Sequence, residues 1–194
     1  MKRNLLIAVI VAVGLVAIAS ARSRSAQQQQ TTTETRIERG RQLVLFGGCN
    51  DCHTPMKMGA KCPEPDMTRA LSGHPSQLVV SGAPKLEGPW VWAAVGTNTA
   101  FAGPCGITYS RNLTPDRVTG LEIWTEAMFI KTMRTGRHMG VSRPILPPMP
   151  WQNLNSLPDD DLKLIYAYLR SIKPILNDVP DPVINQQPPQ AASK

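Results

Sequence analysis

The stretch Gly47-Gly48-Cys49-Asn50-Asp51-Cys52-His53-Thr54-Pro55 (GGCNDCHTP) carries two cysteines and a histidine in the order Cys-x-x-Cys-His. In one helical turn, residues at i, i+3 and i+4 share a face. Cys49, Cys52 and His53 have that spacing. They therefore form a single constellation of two thiols beside one imidazole, and its chemistry decides how the rest of the chain is read.

Two thiols on one face can make thioether links along one porphyrin edge while the adjacent imidazole turns inward to an iron. Cys-x-x-Cys-His reads as a c-type haem attachment, and a proximal His is a common haem ligand. Three blander readings compete. A thioredoxin-like redox pair needs a βαβ setting, whereas the residues before Gly47 read as helix. Half of a zinc site needs a second pair at suitable spacing, and none stands nearby. A simple disulfide leaves His53 without a role. Covalent haem c, one copy, is the expectation.

The N-terminus supplies the compartment. Lys2 and Arg3 precede an apolar run of 15 residues, Leu5 to Ala19, followed by Ala19-Ser20-Ala21. A charged segment, a hydrophobic segment and a small-residue cleavage site make an export signal over residues 1–21. The run is short of the roughly 20 residues of a membrane span; retention as a membrane anchor is the alternative to cleavage. The domain is expected in the periplasm or on the outer face of the cytoplasmic membrane. Lys2 and Arg3 would leave with the signal, taking the formal charge from +7 to +5. That favours an acidic partner only weakly, and no Lys/Arg block of nucleic-acid type is present.

At 194 residues and 42% apolar composition, the chain suffices for one modest core. Residues 22–33 (RSRSAQQQQTTT) are polar and low in complexity and are expected as a disordered spacer. Residues 34–176 then form the domain, and residues 177–194, rich in Pro and Gln, a flexible tail. Three helices are predicted. The first runs from about Glu34 to Phe46 and ends at Gly47-Gly48. The second runs from Thr125, a candidate N-cap, to Thr135, before Gly136. The third runs from about Leu157 to Ile172, with Ser156 and Asp159 as a capping box, Leu162, Ile165, Tyr166 and Leu169 as its buried stripe, and Pro174 as its stop. Residues 55–120 are dense in Gly, Pro and Asn without a sustained period; wrapping an apolar prosthetic group would account for them. The fold class is therefore expected to be all-α with a long irregular Gly/Pro-rich insertion.

An electron-transfer haem commonly pairs His with Met. Met149 lies in Leu146-Pro147-Pro148-Met149-Pro150-Trp151, where prolines on both sides restrict the chain and present the thioether at little loss of entropy. Met139, in Gly136-Arg137-His138-Met139-Gly140, is the rival methionine, and Met128 and Met133 read as core of the second helix. His138 and His74 leave bis-histidine ligation open. Cys62 and Cys105 remain; a bridge between them would close a loop of over 40 residues and stabilise it by about 2–4 kcal/mol.

Helix, Cys-x-x-Cys-His, Met in a Pro-rich loop and a C-terminal helix together resemble the class I cytochrome c family. Further segments are similar to the cytochrome c subunits of bacterial membrane-bound alcohol and gluconate dehydrogenases: Asn112-Leu113-Thr114-Pro115-Asp116, Thr119-Gly120-Leu121, Trp124-Thr125, Pro148-Met149-Pro150-Trp151, and Leu162 to Ser171. The resemblance implies a cytochrome c-like helical fold, haem held by Cys49 and Cys52, His53 as proximal ligand and Met149 as distal one. It also implies a crossing of first and last helices at a glycine, with Gly40 against Tyr166 or Leu169 as the candidates. Those subunits carry three haem motifs and this chain has one, so the subunit role does not follow from the motif.

The expected function is a monohaem electron carrier, not an enzyme, cycling between Fe(II) and Fe(III) with a donor dehydrogenase and an acceptor oxidase or cytochrome. Lys57, Lys61, Arg134, Arg137 and Arg143 could ring the haem edge and steer acidic partners. Two alternatives stand beside it: a haem subunit docked to a periplasmic dehydrogenase, and a haem enzyme with a displaceable sixth ligand.

Overall fold

A side chain at Gly40 would run into the Leu164 carbonyl and come within 2.9 Å of Tyr168 Cβ. The lack of one lets two helix backbones touch. The structure, a computed structural model, describes residue 22 and residues 27–184. Helix α1 (27–46) buries Val44 fully and Leu43 almost so. Helix α5 (Asp159–Ser171) faces it with Leu162, Ile165 and Leu169. The crossing predicted at Gly40 is present, with different partners from those expected: Leu164 and Tyr168 make it, not Tyr166 or Leu169.

Helix α1 begins earlier than predicted. The residues 27–33, expected in a disordered spacer, are helical though exposed. Thr31, Thr32, Thr33 and Thr35 each return a hydroxyl hydrogen bond to the carbonyl four positions back, and Gln30 donates to Glu34. Polar side chains that bond their own turn need no buried partner to continue a helix. The export signal over 1–21 lies outside the described residues, as do residues 23–26. Among the described residues no helix is long and apolar enough to cross a membrane.

Helix α1 ends at Gly47-Gly48, and Gly48 takes a left-handed φ of 66° so that the chain can re-enter a helical turn at once. That turn is α2 (Cys49–His53). Helix α3 (Glu126–Thr135) matches its prediction at both ends: Thr125 Oγ1 accepts from Met128 N, and Gly136 closes the helix in left-handed conformation. Phe129 and Met133 bury its inner face. The third predicted helix is preceded by a separate short one. Helix α4 (Trp151–Asn155) comes before α5, and Ser156 donates back to Asn153 O rather than capping α5, whose N-cap is Pro158. Arg134 binds the two together, donating to Leu157 O at 2.7 Å and pairing with Asp159. The helices thus bury a core of their own, with Leu71 and Leu121 added from the intervening chain.

The all-α expectation is overturned. Of the described residues 38% are helical and 13% are in strands, which form two antiparallel sheets, so the fold is mixed α/β. A hairpin pairs β1 (Met56–Met58) with β2 (Pro63–Pro65), placing Lys57 opposite Glu64. Four further strands lie in the order β3 (Ala93–Ala94), β4 (Ala100–Gly103), β5 (Gly106–Tyr109) and β6 (Val183–Ile184). They bury a second small core of Ala100, Ala102, Ile107 and Tyr109 against Val179. Strands of two to four residues are too short to display a period of two, which is why this region reads as irregular.

The segment 174–184 is likewise no loose tail. It runs back along the domain as a strap: Ile175 O accepts from Asn112, Asn177 is 2% exposed, and β6 pairs with β5. Residues 185–194 lie outside the described residues.

Candidate haem-binding site

Helix α2 is a single turn, and local hydrogen bonds set its shape. Asp51 N donates to Gly48 O and Thr54 N to Asn50 O, both at 3.0 Å. Thr54 Oγ1 donates to Asn50 Oδ1 at 2.8 Å and accepts from Leu71 N at 2.9 Å, tying the turn to the chain beyond the first hairpin. Asn98 Nδ2 donates to Asp51 O.

Cys49 and Cys52 are half-buried free thiols. Burial, reinforced by the charge of Asp51, pushes Cys49 up to about 11 and raises Cys52 as well. A redox dithiol needs a thiolate stabilised by its surroundings; these surroundings do the opposite, and the thioredoxin-like reading loses its chemical basis.

His53 is 8% exposed, and its Nδ1 lies 2.7 Å from the Arg111 carbonyl. A carbonyl can only accept, so the proton resides on Nδ1 and Nε2 keeps its lone pair. Among the described residues Nε2 has no hydrogen-bond partner. Burial holds the imidazole below its ordinary range, against the opposing pull of the Arg111 carbonyl. A neutral ring, oriented by a backbone acceptor with its second nitrogen bare, is what a metal requires of a histidine. Together with two un-ionised thiols on the same turn, this donor set fits a covalently attached haem.

The Arg111 carbonyl is fixed by its neighbours. Asn112 Oδ1 accepts from Thr114 N and Oγ1, while its Nδ2 donates to Thr119 Oγ1 and Ile175 O. Asp116 Oδ1 gathers Val118 N, Thr119 N and Thr119 Oγ1. The Asn-Leu-Thr-Pro-Asp segment is therefore a scaffold for the acceptor of His53. Gly73, at φ 78°, donates its N–H to His53 O, and a Cβ there would lie 2.7 Å from Arg111 O. Only glycine lets segments 71–74 and 110–113 approach this closely beside the histidine.

The other candidates sort themselves by their partners. His74 is fully buried, with Nδ1 bonded to Thr99 Oγ1 and Nε2 to Leu78 O, both at 2.9 Å, and its ring packed on Tyr109. With both nitrogens committed it is a structural residue. His138 is half-buried, edge-on to Trp124 at 5.2 Å. Burial lowers its pKa first, then the charges of Arg143 and Arg111; Arg143 is lowered by burial and by Arg111. The loop 137–143 therefore lies within reach of Arg111, the residue whose carbonyl holds His53. Met149 is half-buried in the loop that leads into α4, with its carbonyl accepting from Trp151 N. Trp151 packs beneath Gly136 and Ile145 N donates to Gly136 O, so this loop is pinned at the end of α3. Met139 is half-buried in left-handed backbone at φ 54°.

Two expectations change. Cys62 and Cys105 are free and exposed, each in the turn of a different hairpin, and the expected bridge is not made. Of the basic residues proposed to ring the haem, Arg134 is engaged between α3, α4 and α5, Arg137 donates to Ser142 O, and Lys57 lies 3.9 Å from both Glu64 and Asp66. Arg111 and Asn177 were missed. A backbone carbonyl has no side-chain signature, although the segment containing Arg111 adjoins the Asn112–Asp116 motif.

No protein-family model matches the chain. Its similarity to known proteins runs over about three quarters of its length. It is 30% identical to a nicotinate dehydrogenase chain of Pseudomonas putida over 144 residues, 74% of this chain and 9% of that protein. It is 28% identical to the fructose dehydrogenase cytochrome subunit of Gluconobacter japonicus over 147 residues, 75% of this chain and 23% of that one. It is 31% identical to the cytochrome c subunit of the quinone-dependent alcohol dehydrogenase of Gluconacetobacter polyoxogenes over 150 residues, 77% of this chain and 25% of that one. The chain spans a quarter or less of each of these relatives. Over those stretches the chain is similar to the cytochrome c subunits of dehydrogenases.

Proposed function

We propose that the protein is a monohaem c-type cytochrome that carries electrons from a dehydrogenase to an oxidase or another cytochrome, on the outer side of the cytoplasmic membrane. Cys49 and Cys52 supply the two thioether sulfurs, His53 Nε2 the proximal ligand and Met149 Sδ the distal one. One-electron Fe(II)/Fe(III) chemistry is what the haem contributes. The chain's own residues hold, orient and shield: Thr54 and Asn50 keep α2 wound, Arg111 O fixes the His53 tautomer, and the proline-framed loop presents Met149. The observation that carries this reading is the neutral, buried His53, protonated at Nδ1 toward a backbone carbonyl, on one turn with two un-ionised thiols.

The dehydrogenase partner rests on the relatives, whose names place cytochrome subunits in fructose and alcohol dehydrogenases. A haem subunit docked to such an enzyme is the second reading, favoured by the same match. Purification decides the chemistry: a pyridine haemochrome spectrum with thioether-type absorption, one haem per chain and a mass raised by one haem. A colourless protein from a host with working haem-ligation machinery would sink the proposal. Co-purification with a dehydrogenase would favour the docked role over the free carrier.

A further inference from the structure

The residue that holds His53 from behind is itself held by the C-terminal strap. Arg111 Nη1 donates to Val179 O and to Pro180 O, both at 2.9 Å, and lies 3.6 Å from Asp181 Oδ1. The strap is pinned on either side of that grip. Upstream, Asn177 Nδ2 donates to Ser72 O and His74 O, and Asn177 Oδ1 accepts from Ser76 N. Between them Val179 is buried against the sheet, and downstream Val183 and Ile184 pair with Ile107 and Gly106. The main chain of Arg111 thus contacts the histidine while its side chain contacts a segment some 70 positions later.

We propose that Arg111 is a positioning residue for the His53 imidazole and that the strap 174–184 anchors it, so that the C-terminal segment sets the strength of the Nδ1–H···O=C bond. This rests on the haem reading above. A carbonyl held at 2.7 Å makes the ring a more basic ligand. A more basic ligand favours the ferric state and lowers the reduction potential. Releasing the carbonyl should raise it.

The sign separates positioning from charge. Arg111→Met removes a cation from the neighbourhood of the iron. Electrostatics alone would then lower the potential, because ferric iron carries the extra positive charge and is the state that the cation disfavours. Loss of positioning raises it. The variant is made as holoprotein, and retained haem with an unchanged haemochrome establishes that attachment is intact. The potential is then measured by spectroelectrochemistry, and exchange of the His53 Nδ1 proton by NMR of the ferrous protein. The expected result is a higher potential, with proton exchange faster by up to about tenfold, the equivalent of one weakened hydrogen bond. A potential that stays or falls, or a proton that exchanges as slowly as in the parent, overturns the proposal. Where Arg111→Met yields no holoprotein, Arg111→Lys decides, since it keeps the charge but lacks the planar guanidinium whose Nη1 serves both carbonyls. Faster exchange supports positioning, and parental exchange overturns it. A parent protein that carries no haem would instead refute the cytochrome reading, a distinct outcome seen before any variant is made.

Discussion

Asn177 Nδ2 donates to the His74 carbonyl at 2.8 Å, joining two residues 103 positions apart. The same amide also reaches Ser72 O, and its oxygen receives Ser76 N and Arg69 Nη2. A side chain 2% exposed thereby satisfies main-chain groups of the loop that flanks His53.

Asn177→Ala should leave those buried groups without partners. Unpaired buried donors and acceptors cost about 1–3 kcal/mol each, with partial relief from water. A loss of about 2–4 kcal/mol in denaturant unfolding of the holoprotein is the expected outcome. A loss below about 0.5 kcal/mol, the scatter of neutral surface changes, would mean the strap is dispensable.

Gly40→Ala tests the helix crossing. Helix propensity alone favours Ala by about 1 kcal/mol, so an uncrowded glycine in α1 would be stabilised by the change. Here the new methyl meets the Leu164 carbonyl, which belongs to the backbone of α5 and cannot swing aside. Net destabilisation of about 1–3 kcal/mol is expected, read as a lowered midpoint in thermal or denaturant unfolding. A raised midpoint would refute the close contact.

Some of this is legible in the chain because it is local. The i, i+3, i+4 spacing places Cys49, Cys52 and His53 on one turn, and Thr125 and Gly136 mark both ends of α3 as observed. Glycine at position 40 signals a close approach, but sequence does not say which residues of the partner helix will meet it. What stays hidden depends on distant partners. Strands as short as Ala93–Ala94 exist because a neighbour pairs with them, and no pattern within two residues announces that. Ser156 followed by Asp159 looks like a capping box, yet Pro158 takes the N-cap position and Ser156 turns back to α4. Composition makes residues 177–184 look like the rest of the Pro/Gln-rich end; only the buried Asn177 and Val179 distinguish them.

His74 gives a pH dependence of known sign. Burial lowers its pKa, against an opposing hydrogen bond with Leu78 O, and the charge of Arg69 lowers it further; its ring faces Tyr109 and Thr99. Below about pH 6.5 the unfolded chain gains a proton that the folded imidazole resists. The unfolded state then binds more protons, so stability is complete above that pH and declines as pH falls, by up to about 1.4 kcal/mol per pH unit for one such group. Unfolding free energies between about pH 7 and 5 should show this slope, and His74→Asn should reduce it. An identical slope in the variant would assign the effect to His53 or His138, whose pKa values burial also lowers.

The distal ligand is the last assignment to test, and the two methionines differ in a way that makes the test decisive. Met149 sits half-buried between prolines in a loop anchored by Trp151 under Gly136. Met139 sits in left-handed backbone just beyond the end of α3, beside His138. Ferric iron ligated by a thioether has a weak near-infrared charge-transfer band, and Met ligation raises the potential. Met149→Ala should abolish that band and lower the potential while the covalently attached haem remains, because the two thioethers and His53 are untouched. Met139→Ala should keep the band. The reverse pattern, with the band surviving in Met149→Ala and lost in Met139→Ala, would move the sixth ligand to the 138–140 turn. A band that survives in both variants would assign the thioether to another methionine, and a parent protein without the band would leave His138 as the remaining named candidate for the distal site.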